Sequence, residues 1–263
     1  MERPSFDLDP AIFDRPEMSP LRKPGPRHLR AELRRSFAGA RLALRDTDRH
    51  QEIFQLLLDF PLFDLTRGIN SMLPIMRNPT FLDMARRRVL PELSTAGTRQ
   101  LLTLPEDTLG FQYATFVHER GLTDAYLNFL EFPDTPLKYL AWRTALLHDL
   151  LHFLLGYEPM FPVSEMQVES FLLFQTGALN HFILLSGWLI HFKTHRPDYL
   201  PVCLEGIRAS VARAHKIPCL ITVDWQAWLS RPMGEVVEFL GLVGPGPCPP
   251  HRTDHTPTLT PLP

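Results

Sequence analysis

Net charge is the first thing this chain has little of. Twenty-nine acidic residues nearly cancel 27 basic ones, for a formal charge of −2, so no electrostatic footprint for nucleic acid is present. Cysteine is scarce as well. Cys203, Cys219 and Cys248 are odd in number and none stands in Cys-x-x-Cys spacing, which excludes a thiolate zinc site, speaks against a disulfide frame and fits a reducing compartment. The chain has no internal repeat, no glycine-rich phosphate loop and no Gly-x-Ser-x-Gly nucleophile elbow. Its first residues include Glu2, Asp7, Asp9, Asp14 and Glu17, which suit neither a secretory signal nor an acid-poor transit peptide. The expectation is a cytoplasmic protein, with a peripheral place on the inner face of the cell membrane as its variant.

Proline, by contrast, is plentiful at 26 residues and collects at both ends. Residues 1–28 and 244–263 combine it with no apolar period, a composition that resists packing, so both segments are expected to be disordered. His251 and His255 in that tail read as incidental. Between the ends, 263 residues leave room for one large helical domain, placed at 29–243. The class is all-α: a single helical domain with disordered proline-rich termini.

Within it, residues 28–45 read as a basic amphipathic helix and residues 49–60 as a second, stopped by Pro61. One or two further helices fall in 62–92, broken near Pro74 and Pro79, with Arg86, Arg87 and Arg88 as a solvated basic run. A loop near 94–104 leads to a helix opened by Pro105-Glu106-Asp107-Thr108 and ended by Gly121. Tyr126, Phe129 and Leu130 mark a shorter one. A central helix runs from Thr135-Pro136 to Gly156, with Leu140, Leu147, Leu151 and Leu154 along its apolar face. Residues 164–195 read as one long helix carrying His181 and His191, read as core histidines. From Ser170 to Phe192 it holds no Lys, Arg, Asp or Glu, which is long enough to span a bilayer, but Gln175, Thr176, Asn180, His181 and Ser186 interrupt it. A core helix, an oligomer interface or a lipid-lined pocket fits better. Residues 197–215 form another helix with Leu204, Ile207 and Val211, Ile217 to Val223 is a candidate extended stretch, and two short helical turns follow before the tail.

The chemistry-bearing stretch is His148-Asp149-Leu150-Leu151-His152, with Glu165 opening the next element. At roughly 100° per residue, positions i, i+1 and i+4 fall within an arc of about 100°, so two imidazoles and a carboxylate leave one side of one helix. They are candidate ligands for a divalent metal ion, with Glu165 as a fourth and Glu169 as its alternate. Such a donor set suits zinc first, with iron, manganese or cobalt as alternatives. The plainer reading is two packed histidines and a solvated aspartate, but unpaired imidazoles in so apolar a helix are costly. Aspartate stands where a zincin has its catalytic glutamate, which argues against a peptidase and leaves Asp149 as either base or ligand. Ala145 and Ala141, one and two turns earlier, would leave room for a substrate, which Glu169 would also contact. Arg143 points elsewhere and is at most a weak carboxylate clamp or half of a salt bridge.

The run His148-Asp149-Leu150-Leu151-His152-Phe153-Leu154-Leu155-Gly156, then Glu165 and Gln175-Thr176-Gly177, resembles the coenzyme Q biosynthesis protein 4 family. Leu104-Pro105-Glu106-Asp107-Thr108-Leu109-Gly110 and Asp224-Trp225-Gln226-Ala227-Trp228 add to the likeness, which covers about residues 46–242. The resemblance implies a helical, peripherally membrane-associated homodimer that binds prenylated lipid in an apolar groove. It implies a metal held by His148, Asp149, His152 and Glu165, and partners among other quinone-biosynthesis proteins. It further implies removal of the ring carboxylate of a prenylated benzoate precursor of ubiquinone, with hydroxylation at the same carbon. Two alternatives stay open: a relative acting on another aromatic or polyketide-like substrate, and a lipid-binding scaffold whose metal is structural.

Overall fold

The computed structural model describes residues 74–87, 89, 93, 95–122, 136–159 and 161–242. The two proline-rich ends, the helices expected at 28–45 and 49–60, the one through Tyr126 to Leu130, Arg88, His251 and His255 all lie outside the described residues. Among the described residues the fold is all helical. After a helical turn at 74–76 come α1 (Pro79–Arg87), α2 (Thr95–Leu101), α3 (Leu109–Glu119), α4 (Pro136–Leu146), α5 (His148–Leu155), α6 (Pro162–Thr176), α7 (Leu179–His195), α8 (Leu200–Ala214) and α9 (Met233–Phe239). Short 3₁₀ turns sit at Pro197–Tyr199, Leu220–Thr222 and Trp225–Ala227.

Local chemistry accounts for most of the boundaries. Pro79 opens α1 while the Asn78 carboxamide oxygen accepts from Phe81 N at 3.0 Å. Helix α3 starts at Leu109 instead of Pro105, because the residues before it are committed elsewhere. Thr108 is extended and caps the helix, and the Asp107 carbonyl accepts from Met233 N at 2.7 Å. The stretch expected as a loop near 94–104 contains α2. Its buried positions include Gly97 and Thr98, small residues that give no hydropathy period but allow close packing on α3.

Both long helices of the sequence reading are divided. The central one kinks at Leu147, whose ψ of −3° opens the turn while Leu147 N→Arg143 O and Leu151 N→Leu147 O keep the ladder nearly continuous. The 164–195 segment stops at Thr176. Gly177 takes φ +68°, a left-handed conformation that favours glycine, and the Thr176 hydroxyl accepts from Ala178 N at 3.1 Å. The uncharged run is thereby shared between two helices, and no described helix is long and apolar enough to cross a membrane.

The main core gathers α1, α3, α4, α5, one face of α6 and the segment from Ile217 to Leu240. A smaller cluster of Met166, Leu185, Phe192, Tyr199 and Cys203 joins α6, α7 and α8. Helix α8 packs most extensively on α6, and its buried line is Cys203, Gly206, Ser210 and Ala214. The apolar stripe expected through Leu204, Ile207 and Val211 is not that line: Leu204 is exposed and the other two are half-buried. Close approach explains the difference, since a Cβ on Gly206 would stand 3.1 Å from Val163 and 3.3 Å from Gln167. Ile217 to Val223 is no strand. It forms a 3₁₀ turn pinned by side chains: Gln175 donates to Pro218 O and accepts from Leu220 N, both at 2.9 Å, and Trp225 Nε1 donates to Leu220 O at 2.9 Å.

Arg143 belongs to the same pinning. It is fully buried and donates to the carbonyls of Ile221 (2.6 Å) and Val223, with Tyr139 Oη at 3.4 Å, so among the described residues it neither clamps a carboxylate nor forms a salt bridge. Burial pulls its pKa down, opposed by Tyr139.

Candidate metal centre

Helix α5 presents His148 and His152 from successive turns, their ring centroids 4.8 Å apart. Gly156, at φ +68°, ends the helix and returns the chain so that Glu165 arrives in the first turn of α6. Glu165 Oε2 stands 3.3 Å from His148 Nε2 and 3.4 Å from His152 Nε2. The candidate ligand atoms of these three residues lie within 4.8 Å of one another.

Each ring is held from behind. His152, fully buried, donates from Nδ1 to the Tyr157 carbonyl at 3.0 Å, which turns Nε2 toward Glu165. His148 Nδ1 lies 3.2 Å from Asp149 Oδ1, which likewise turns its Nε2 toward Glu165. Partners of this kind orient ligand imidazoles at metal sites and fix their tautomer. The loop that supplies the Tyr157 carbonyl is itself tied down. Arg213 on α8 donates to Leu155 O and its guanidinium sits 5.5 Å from the centroid of the Tyr157 ring. Tyr157 and Arg213 had no place in the sequence reading. A backbone carbonyl leaves no residue signature, and Arg213 is distant in sequence.

The electrostatics follow from this crowding. Burial pushes the Glu165 carboxyl up, but His152 first and then His148 outweigh it and hold the group well below the usual carboxylate range. Burial likewise pulls His148 down, yet the hydrogen bonds its ring donates to Asp149 and Glu165 raise it well above an ordinary imidazole.

The other expected site residues are placed as follows. Asp149 stands beside His148 and is not among the three converging residues. Glu169, one turn beyond Glu165, bonds to His181 and not to the imidazoles of α5. Ala141 and Ala145 are buried, and Ala141 packs into the main core. His191 stacks on His195 toward the end of α7.

The donor set fits a metal ion on chemical grounds. Two imidazole nitrogens with their tautomers fixed and one ionised carboxylate converge on a point, which suits a borderline divalent ion and leaves coordination positions open.

Comparison with known proteins bears on the fold and the family. The family model described as "Coenzyme Q (ubiquinone) biosynthesis protein Coq4" matches residues 66–245. The chain is 30% identical over 173 residues to the ubiquinone biosynthesis protein COQ4 homolog, mitochondrial, of Rattus norvegicus, covering 64% of this chain and 63% of that one. It is 26% identical over 172 residues to the Homo sapiens homolog, again covering 64% and 63%. The Xenopus tropicalis homolog is 30% identical over 211 residues, 80% of this chain and 73% of its own. The chain thus matches 63% of the length of the rat relative. A crystal structure of a Nostoc punctiforme protein described as a ubiquinone biosynthesis protein shares the fold with TM-score 0.64, covering 81% of this chain and 97% of that one at 20% identity.

Proposed function

Because the chain belongs to the coenzyme Q (ubiquinone) biosynthesis protein Coq4 family, we propose that it is a metal-dependent enzyme of that biosynthesis. Its substrate is a prenylated benzoate precursor, and its reaction removes the ring carboxylate with hydroxylation at the same carbon: aromatic acid, dioxygen and water give phenol, carbon dioxide and hydrogen peroxide, the two electrons lost at the ring carbon passing to dioxygen. One observation carries this reading. His148 Nε2, His152 Nε2 and Glu165 Oε2 converge, while the far nitrogen of each ring is held by a partner of its own.

His148, His152 and Glu165 would hold the ion, and a bound divalent ion supplies Lewis-acid stabilisation of the charge that develops as carbon dioxide leaves. The chain's own residues do the rest. Asp149 orients His148 and keeps a carboxylate within reach of a proton at Nδ1. The Tyr157 carbonyl keeps the His152 hydrogen on Nδ1. The apolar side chains of α5 and α6 keep bulk water from the buried side of the centre.

The test is direct. H148A should lose bound metal and product together when metal content is measured and a prenylated 4-hydroxybenzoate is followed by chromatography. A variant that loses its metal yet forms product at the wild-type rate would sink the enzyme reading. It would favour a lipid-binding scaffold, for which one observation speaks. Apart from Leu102, the exposed large hydrophobics of the described residues (Phe174, Phe182, Ile190, Val202 and Leu204) all lie on α6, α7 and α8, where a membrane surface or partner could meet them.

A further inference from the structure

The described residues hold a second imidazole–carboxylate pair that the metal centre leaves unused. Glu169 lies one helical turn, about 5.4 Å, along α6 from Glu165 on nearly the same face. It is buried, and its Oε2 is 2.7 Å from Nδ1 of His181 in the first turn of α7. An ionised carboxylate only accepts, so Nδ1 carries the hydrogen, and in the neutral ring Nε2 is left as an acceptor. His181 is 4% exposed, and its Nε2 is buried with no hydrogen-bond partner among the described residues.

Buried polar atoms in folded proteins are nearly always paired, so an orphan of this kind calls for an occupant. Its surroundings narrow the choice. The nitrogen belongs to a helix turn rich in buried apolar side chains, Ile183, Leu184 and Leu185, and it is fixed in direction by Glu169. No third metal-ligating side chain joins the pair, since His148, His152 and Glu165 are the one such group among the described residues. The site therefore suits a single donor on an otherwise apolar molecule.

We infer that His181, set by Glu169, is a second polar subsite beside the metal centre and accepts a hydrogen bond from a phenolic hydroxyl of the substrate. The inference rests on the reading of the metal centre as the place of an aromatic acid, and it adds the part of the molecule that selects among such acids.

The experiment uses the full chain as purified, with metal content measured for each protein, and two probes, 3-geranyl-4-hydroxybenzoate and the hydroxyl-free 3-geranylbenzoate. Binding is followed by calorimetry. Wild type should prefer the hydroxylated probe about tenfold, the worth of one buried hydrogen bond. H181F should lose that preference while keeping its metal and its affinity for the hydroxyl-free probe, and H181Q, which keeps an acceptor, should retain part of it. A preference undiminished in H181F, or absent in a wild type that binds both probes, overturns the subsite and leaves the metal-centre reading standing; the orphan nitrogen then holds only water. A wild type that binds neither probe overturns the aromatic-acid reading itself, and the subsite with it. For a variant that fails to fold, the ¹⁵N signal of His181 Nε2 in wild type decides: a shift with the hydroxylated probe alone supports the subsite, and equal or no shifts overturn it.

Discussion

At the proposed metal centre a proton on His148 and a metal ion would compete for the same nitrogen. With His148 raised and Glu165 depressed, the signs run in opposite directions. The Glu165 contribution to stability is complete above an ordinary carboxylate pKa of about 4.3 and is lost as pH falls through its depressed value. The His148 contribution is complete below an ordinary imidazole pKa of about 6.5 and is lost as pH rises through its raised value. The metal-free protein should therefore gain most from this site between about pH 4.5 and 6.5, read as the highest melting temperature of the apo form. Zinc affinity should run the other way, rising with pH and releasing about one proton per ion bound. Calorimetry in buffers of different ionisation enthalpy measures that proton, and a pH-independent affinity would show that His148 is not a ligand.

At the scale of helices, Gly177 divides what would otherwise be a single rod. Its left-handed φ makes a definite demand, and G177A should cost about 1 kcal/mol in urea unfolding with no change in the buried centre. The same element shows where the sequence was readable. The His148–His152 spacing declared its geometry because i and i+4 meet on any helix, and Gly156 and Gly121 marked real ends. Gly177 stood inside a continuous apolar run, where a glycine signals a stop only weakly. Leu147 carried no signal at all. The buried line of α8 was hidden for another reason: Gly206, Ser210 and Ala214 are chosen for size, and hydropathy does not record size. Whether Glu165 or Glu169 faces the histidines turned on how the loop after Gly156 folds back, which spacing alone does not set.

For the molecule as a whole, Arg143 is the piece that sequence could not place. Its targets, Ile221 O and Val223 O, are 78 and 80 residues away, and nothing local announces them. Removing the guanidinium leaves the buried Ile221 carbonyl without its donor and strips Val223 O of one of two, the other being Trp225 N, so R143M should lower stability by about 1–3 kcal/mol in equilibrium unfolding. Metal binding by the folded fraction should persist, because the centre is built from α5, α6 and the loop between them; R143M with unchanged unfolding free energy would contradict the pinning role. The family-like stretches outside the centre fall into the same scheme. Gly110 N donates to Leu229 O at 2.7 Å and a Cβ there would stand 2.8 Å from that oxygen, so Leu104 to Gly110 docks on the chain after Asp224 to Trp228.

That docking has a kinetic side. Helical proteins fold fast when their contacts are local, and the candidate metal centre closes short loops, its histidines and Glu165 lying within one stretch from 148 to 165. The bonds from Arg143 to the 221–223 carbonyls, and from Leu109, Gly110 and Met233 across to their partners, close much longer loops of chain. The liganding helices can therefore assemble early, while seating of the C-terminal segment is the late, slow event. Trp225, buried against Leu220 O by that seating, is its natural reporter. In stopped-flow refolding its fluorescence should lag the far-ultraviolet helix signal, so that a chain still being synthesised holds the elements of its candidate metal centre before it has closed the body around them.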